Sequence, residues 1–242
     1  EKATYDQIRG LVLSPDARRV AYAGVLGGVE TLTLDGKAMR VAAEVRTMLF
    51  SPDSRRFAYV LRRKGRDCVV IDGARGKQYD HVTDVTFSPD SQRVCYVAQS
   101  GERVPERRVS VVLDRRPELP FVGGVFGIVF SPDSKRLGYA GVGLPQEMPY
   151  RCHVVVDGRL VGRGYDVSSR CAPQFSPDGK RVAFVACKRV GRRRKYMAIE
   201  VAAGVTEHDA IAGERLVFSP DGTRLAWLGE DDDTGRCAVF IN

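Results

Sequence analysis

The sequence contains no run of about 18 apolar residues, so no segment is suited to cross a membrane as a helix. It shows no secretory leader and no initiator methionine. Glu1 therefore reads as the start of a processed or excised chain whose cellular address has been removed. None of the six cysteines forms a C-x-x-C pair, and no histidine stands at zinc-finger spacing. Neither a metal nor a cofactor is expected. A chain of 242 residues does not need disulfide staples, so mostly buried, reduced thiols are expected. A bridge between Cys171 and Cys187 within one hairpin would lie diagonally and be strained. The three histidines, His81, His153 and His208, fall in different parts of the chain, and their order argues for no Ser-His-Asp or Cys-His set. No catalytic residues are expected.

Present in abundance is a repeat. Leu13-Ser14-Pro15-Asp16 recurs as Phe50-Ser51-Pro52-Asp53, Phe87-Ser88-Pro89-Asp90, Phe130-Ser131-Pro132-Asp133, Phe175-Ser176-Pro177-Asp178 and Phe218-Ser219-Pro220-Asp221. The serines are spaced by 37, 37, 43, 45 and 43 residues. Units of about 40 residues match propeller blades of four strands. Each copy continues to an arginine (Arg19, Arg56, Arg93, Arg136, Arg181, Arg224) and a β-rich run such as Val20-Ala21-Tyr22 or Leu225-Ala226-Trp227.

The chemistry of each piece is mechanical. Ser-Pro-Asp suits a type I turn, with proline pre-setting φ at the second corner and aspartate at the third. The turn joins a first strand to a second. The aromatic that follows fills space between neighbouring sheets, and the small residue before it faces the other way and lets the next sheet approach. Cys95 occupies that small slot and reads as packing. A third strand ends at Asp35-Gly36, Asp72-Gly73, Asp114 or Asp157-Gly158, where Asp-Gly suits a tight turn into a fourth. The six repeated aspartates read as turn residues bonded to their own backbone, against a metal or catalytic alternative.

The fold class expected is all-β, a six-bladed β-propeller of four-stranded antiparallel blades, as a single domain over 1–242. The C-terminus resembles a third strand, and residues 3–8 carry a Tyr-Asp pair like Tyr79-Asp80 and Tyr165-Asp166. Residues 3–8 are thus expected to supply the fourth strand of the last blade, beside the strand near 237–241.

The six Ser-Pro-Asp-x-x-Arg copies resemble the WD40-like repeats of TolB-type propellers across essentially the whole chain. The Gly-His and Trp-Asp pairs of WD repeats proper are missing. The resemblance implies a propeller used for protein interaction, often in exported bacterial proteins, hence a periplasmic or extracellular address. Related propellers gate peptidases of the prolyl oligopeptidase type, but this sequence has no G-x-S-x-G elbow and no room for a hydrolase domain. The motif is structural and transfers no functional residues.

Function is therefore sought in the loops, which differ between repeats. The formal net charge is +8, and basic residues gather between second and third strands. Arg62, Arg63, Lys64 and Arg66 lie in the second unit; Lys188, Arg189, Arg192, Arg193, Arg194 and Lys195 lie in the fifth. Arg9, Arg46 and Arg170 lie where fourth strands lead into first ones. Together they outline a basic face for an acidic protein partner. The bland alternative is a solvated hairpin tip, neutralised in the fifth unit by Glu230, Asp231, Asp232 and Asp233 of the sixth. In the fourth unit Leu144, Met148 and Tyr150 offer apolar anchors, or fold back onto their own sheet. A monomeric, non-enzymatic scaffold binding a protein is the leading expectation. A ligand, anion or reaction in the central channel is one alternative; an accessory or engineered propeller is another. Nucleic acid is disfavoured, because no aromatic platform is interleaved with the basic runs.

Overall fold

A computed structural model describes residues 4–103, 106–167, 171–190, 193–201, 205–210, 216–230 and 237–241. Among them there is no α-helix, and the regular structure is antiparallel β-sheet in six successive groups. The first is β1 (Gln7–Leu13), β2 (Val20–Leu26), β3 (Val29–Leu34) and β4 (Lys37–Arg40). The second is β5 (Glu44–Phe50), β6 (Phe57–Arg63), β7 (Arg66–Ile71) and β8 (Ala74–Tyr79). The third is β9 (His81–Phe87), β10 (Val94–Ser100), β11 (Arg108–Leu113) and β12 (Arg116–Phe121). The fourth is β13 (Gly124–Phe130), β14 (Leu137–Val142), β15 (Cys152–Val156) and β16 (Arg159–Tyr165). The fifth is β17 (Gln174–Phe175), β18 (Val182–Val190), β19 (Arg193–Val201) and β20 (Val205–Ala210). The sixth is β21 (Val217–Phe218), β22 (Leu225–Glu230) and β23 (Cys237–Ile241). Each sheet runs in chain order, strand beside next strand. Contacts divide the chain into two compact units, Glu1–Glu118 and Leu119–Asn242, with the boundary inside β12.

Every Ser-Pro-Asp segment makes the expected turn between first and second strands. The N–H of Ala17, Ser54, Ser91, Ser134, Gly179 and Gly222 donates to the serine carbonyl three residues back, each at 2.8 Å. That donor residue has positive φ in each copy, which is why glycine occurs there. The serine hydroxyl donates to the aspartate carboxylate (Ser14 to Asp16, 2.6 Å) and accepts from the arginine N–H (Arg19, 2.9 Å). The third strands end as expected: Asp35, Asp72, Asp114 and Asp157 sit at φ near +50° and open two-residue turns.

The repeated arginine joins one sheet to the next within each unit. Arg19 pairs with Asp35 of its own sheet at 2.9 Å, stacks on Phe50 at 5.0 Å, and donates to the Ser54 and Arg55 carbonyls of the following turn. Arg56 repeats this with Asp72, Phe87, Ser91 and Gln92. Arg136 does so with Asp157 and Phe175, and Arg181 with Glu200 and Phe218. Such forked, stacked contacts suit guanidinium and not ammonium.

The cores lie between sheets. Ala21 and Ala23 meet Phe50, Phe57 and Tyr59; Ala58 meets Val94 and Tyr96; Ala183 and Val185 meet Trp227. The aromatic thus faces the preceding sheet and the small residue the following one. At Gly138 an added Cβ would stand 3.0 Å from Pro173 of the fifth repeat. Cys95 fills its small slot fully buried, and burial pushes its thiol up to about 12. The five cysteines whose side chains are described, Cys68, Cys95, Cys152, Cys171 and Cys187, are buried and form no disulfide, so Cys171 and Cys187 are unbridged.

The N-terminal strand departs from expectation. Gln7 and Ile8 open β1 and pair with Val25 and Gly24 of β2, so they form no part of an outer strand beside β23. The reason is that Tyr5-Asp6 makes a corner. Asp6 N–H donates to the Val25 carbonyl, and its carboxylate accepts from Gly27 N–H at 2.7 Å. Asp80 does the same toward Gln99 and Gly101. The tyrosine before each aspartate packs on the next second-strand aromatic: Tyr5 on Tyr22, Tyr79 on Tyr96, Tyr165 on Phe184. The Tyr-Asp equivalence holds; of the strand assigned to residues 3–8, Gln7 and Ile8 belong to β1 instead, and residue 3 lies outside the described residues.

Candidate functional site

The loops between second and third strands contain the side chains that vary between repeats. In the second sheet Lys64 and Gly65 adopt positive φ, closing a two-residue hairpin that sets Arg63 directly opposite Arg66. Arg62 turns to the other side and meets Asp67 at 3.0 Å. Asp67 is 0% exposed. Its second oxygen accepts the Val82 N–H at 3.0 Å and lies 3.2 Å from Nδ1 of His81. Arg62 therefore neutralises a buried carboxylate that organises the corner into β9, and is not spare for a partner. Arg66 lies 3.5 Å from Asp80 and donates to the Gln78 carbonyl. Arg63 and Lys64 are exposed, and neither has a carboxylate partner among the described residues.

The other predicted arginines divide in the same way. Arg9 sits on a bulge in β1, 3.5 Å from Glu30 and 3.6 Å from Glu44; Arg46 in β5 is 3.5 Å from Glu44. These cations are partly neutralised by their own unit. Half-exposed pairs of this kind contribute up to about 1 kcal/mol each to stability, and they lower the local charge available to a ligand. Arg170 and Arg192 lie outside the described residues. Arg193 and Arg194 begin β19, opposite Val190 and Arg189, with only their backbone described. Of the acidic tip expected to neutralise them, Asp231, Asp232 and Asp233 lie outside the described residues.

In the fourth sheet the loop between β14 and β15 is pinned from within. The Glu147 carboxylate accepts from the Leu144 N–H at 3.1 Å and is 2.8 Å from Nε2 of His153. His153 is 2% exposed, and its Nδ1 has no hydrogen-bond partner among the described residues. Burial pushes the Glu147 carboxyl up, but the hydrogen bonds from His153 and Leu144 outweigh it and hold it below the usual glutamate range. Tyr150 packs against Gly143, and both Tyr150 and Leu144 are half-buried. Met148 stands out at 78% exposed. Of the three expected anchors, two serve the loop and one is free to meet a partner.

Two groups escaped the sequence reading. One is the ion pair, in the first five repeats, between the repeated arginine and the acid at or next to the end of its third strand. The signal was there, since both positions recur in step. The other is Arg75 and Gln78 of β8, which join Arg63 and Arg66 around one cavity. No local motif marks them. Among the described residues there is no group of three or more His, Cys, Asp or Glu side chains that could hold a metal ion.

No protein-family model matches the sequence, and no curated protein does. Solved structures are similar. A eukaryotic initiation factor matches at 13% identity and a TM-score of 0.50, over 96% of this chain and 61% of that one. TolB from Acinetobacter baumannii matches at 16% identity and a TM-score of 0.37, over 81% of this chain and 52% of that one. The β-propeller domain of the Trilobed protease from Pyrococcus furiosus matches at 10% identity and a TM-score of 0.48, over 100% of this chain and 82% of that one. The chain spans 29% of the tricorn protease it also matches. At these identities the likeness is one of fold alone, and the succession of antiparallel sheets, each running in chain order, fits a β-propeller.

Proposed function

We propose that the chain is a six-bladed β-propeller acting as a non-catalytic binding module, which holds a protein partner through the loops between second and third strands. The observation that carries this reading is the contrast between its turns and its loops. The Ser-Pro-Asp turns spend the same serine, aspartate and arginine atoms on the same internal bonds in copy after copy. The repeated aspartates are thereby committed to structure, which leaves them no catalytic part. The loops differ, and two of them present side chains without an internal role: Arg63 and Lys64 in the second sheet, Met148 in the fourth. Cations without counter-ions favour an acidic partner surface, and an exposed methionine on a pinned loop offers an adaptable apolar contact.

The test is capture of the partner from extracts of the source cells by wild-type protein and by two variants, Arg63→Glu/Lys64→Glu and Met148→Asp. The reading predicts a partner captured by wild type, released as salt rises, and lost in the charge-reversed variant with the far-UV spectrum and melting temperature unchanged. Capture by both variants that is undiminished from wild type would overturn it.

A further inference from the structure

We propose that the second sheet carries a pocket for a single oxyanion, a carboxylate or phosphate group, held by Arg63, Arg66, Arg75 and Gln78 over a floor of Leu61 and Cys68. The cavity these side chains line is about 70 Å³. That is room for several water-sized groups, which suits a carboxylate or phosphate head and not a nucleoside.

The electrostatics call for an anion. Arg63 and Arg66 are direct cross-strand partners, and Leu61, Cys68 and Gln78 continue the same row across β6, β7 and β8. Like charges directly opposite on a sheet destabilise it, and Arg75 brings a third to the same cavity. The carboxylate within ion-pair reach of this group is Asp80, 3.5 Å from Arg66. Asp67, the acid within β7, is taken by Arg62 and the β9 corner. One carboxylate thus serves three guanidinium groups, and an incoming oxyanion would complete the balance. Arginine is the side chain suited to this task, because its planar fork matches both carboxylate and phosphate oxygens.

The architecture does not need these residues. In the first sheet the pair equivalent to Arg63 and Arg66 is Leu26 and Val29; in the third it is Ser100 and Arg108. The first hairpin forms with no arginine at either position, and the third with one of the two, so the hairpin turn does not require the arginine pair. The cavity floor is apolar in part, and excluding water on that side strengthens each charge-assisted bond.

This inference rests on the binding-module reading only for what would deliver the anion, a side chain of an acidic or phosphorylated partner. The pocket itself is tested without a partner. Arginine Nε–Hε resonances of the intact chain are followed while sodium phosphate or sodium acetate replaces sodium chloride at constant ionic strength. Saturable shifts of the Arg63, Arg66 and Arg75 signals are expected, weakened about ten-fold or more by Arg75→Gln. A stronger response to phosphate would identify a phosphate site, and a stronger response to acetate a carboxylate site. Shifts that fail to saturate, that chloride reproduces, or that survive Arg75→Gln unchanged would overturn the pocket. Lys64 does not line the cavity, so Lys64→Glu separates the two readings. Lost capture with anion binding intact supports the partner reading. Lost anion binding with capture still sensitive to Lys64→Glu overturns the pocket alone.

Discussion

At the scale of single residues, the Ser-Pro-Asp turn sets a conformational demand that its fourth position meets unequally. Gly179 and Gly222 take positive φ without strain, whereas Ala17 holds φ at 57° with a Cβ. Ala17→Gly is expected to stabilise the protein by about 0.5–1 kcal/mol, read as a higher denaturant midpoint at unchanged slope; a lower midpoint would contradict the strain argument. The same turn makes its aspartate a stronger acid. The Ser219 hydroxyl, helped by the Thr223 N–H and hydroxyl, holds the Asp221 carboxyl down at about 2. Asp16, Asp53, Asp133 and Asp178 are lowered in the same way, the serine hydroxyl again foremost. A carboxyl lowered on folding adds stability above its unfolded value near 3.8, and that stability fades as pH falls toward 2. Carboxyl titration by NMR should therefore place Asp221 near 2 in wild type and return it toward the ordinary aspartate value in Ser219→Ala. An Asp221 midpoint unchanged by that substitution would refute the role of the hydroxyl.

At the scale of elements, two bonds hold parts that hydrophobic contact alone would leave loose. The loop between β14 and β15 is tied by Glu147 to His153, whose ring is buried with Nδ1 already unpartnered. Glu147→Ala strands the second ring nitrogen as well and should cost about 1–3 kcal/mol. Met148→Ala, at an exposed position, should fall within about 0.5 kcal/mol of wild type. Equal effects of the two on the urea midpoint would argue against the tie. Between the fifth and sixth sheets, Arg181 bonds the buried Glu200 through two nitrogens and reaches the Gly222 and Thr223 carbonyls. Arg181→Ala removes both of these charge-assisted bonds from the buried carboxylate and should cost about 3–5 kcal/mol. Much of this level was legible in the sequence. The turns advertise themselves through proline, aspartate and glycine, which act locally, and the strands follow from what the turns separate. Partners brought from other strands were not legible. Arg62 read as a free loop charge because Asp67 faces it only once the two-residue turn fixes the register. Arg9 meets Glu30 and Glu44 from strands that no local pattern links, whereas Arg46 meets Glu44 two residues earlier in its own strand. The corner at Tyr5-Asp6 was recognised as a repeat, but which side of it the strand lay on depended on the pairing with β2.

At the scale of the whole molecule, the account rests on each repeat being one blade of the same kind. The sequence supports six of them because the serine, the aspartate and the arginine recur in step, and the described sheets begin and end where those repeats do. The proposed binding role is placed on what differs among repeats: the arginines of the second hairpin and the exposed methionine of the fourth. A crystal structure of this chain tests the claim most directly, by counting sheets. The account predicts six, each with a Ser-Pro-Asp turn joining its first strand to its second, with Arg19, Arg56, Arg136 and Arg181 each stacked on the aromatic of the following sheet. Five or seven sheets, or a Ser-Pro-Asp segment outside such a turn, would contradict it.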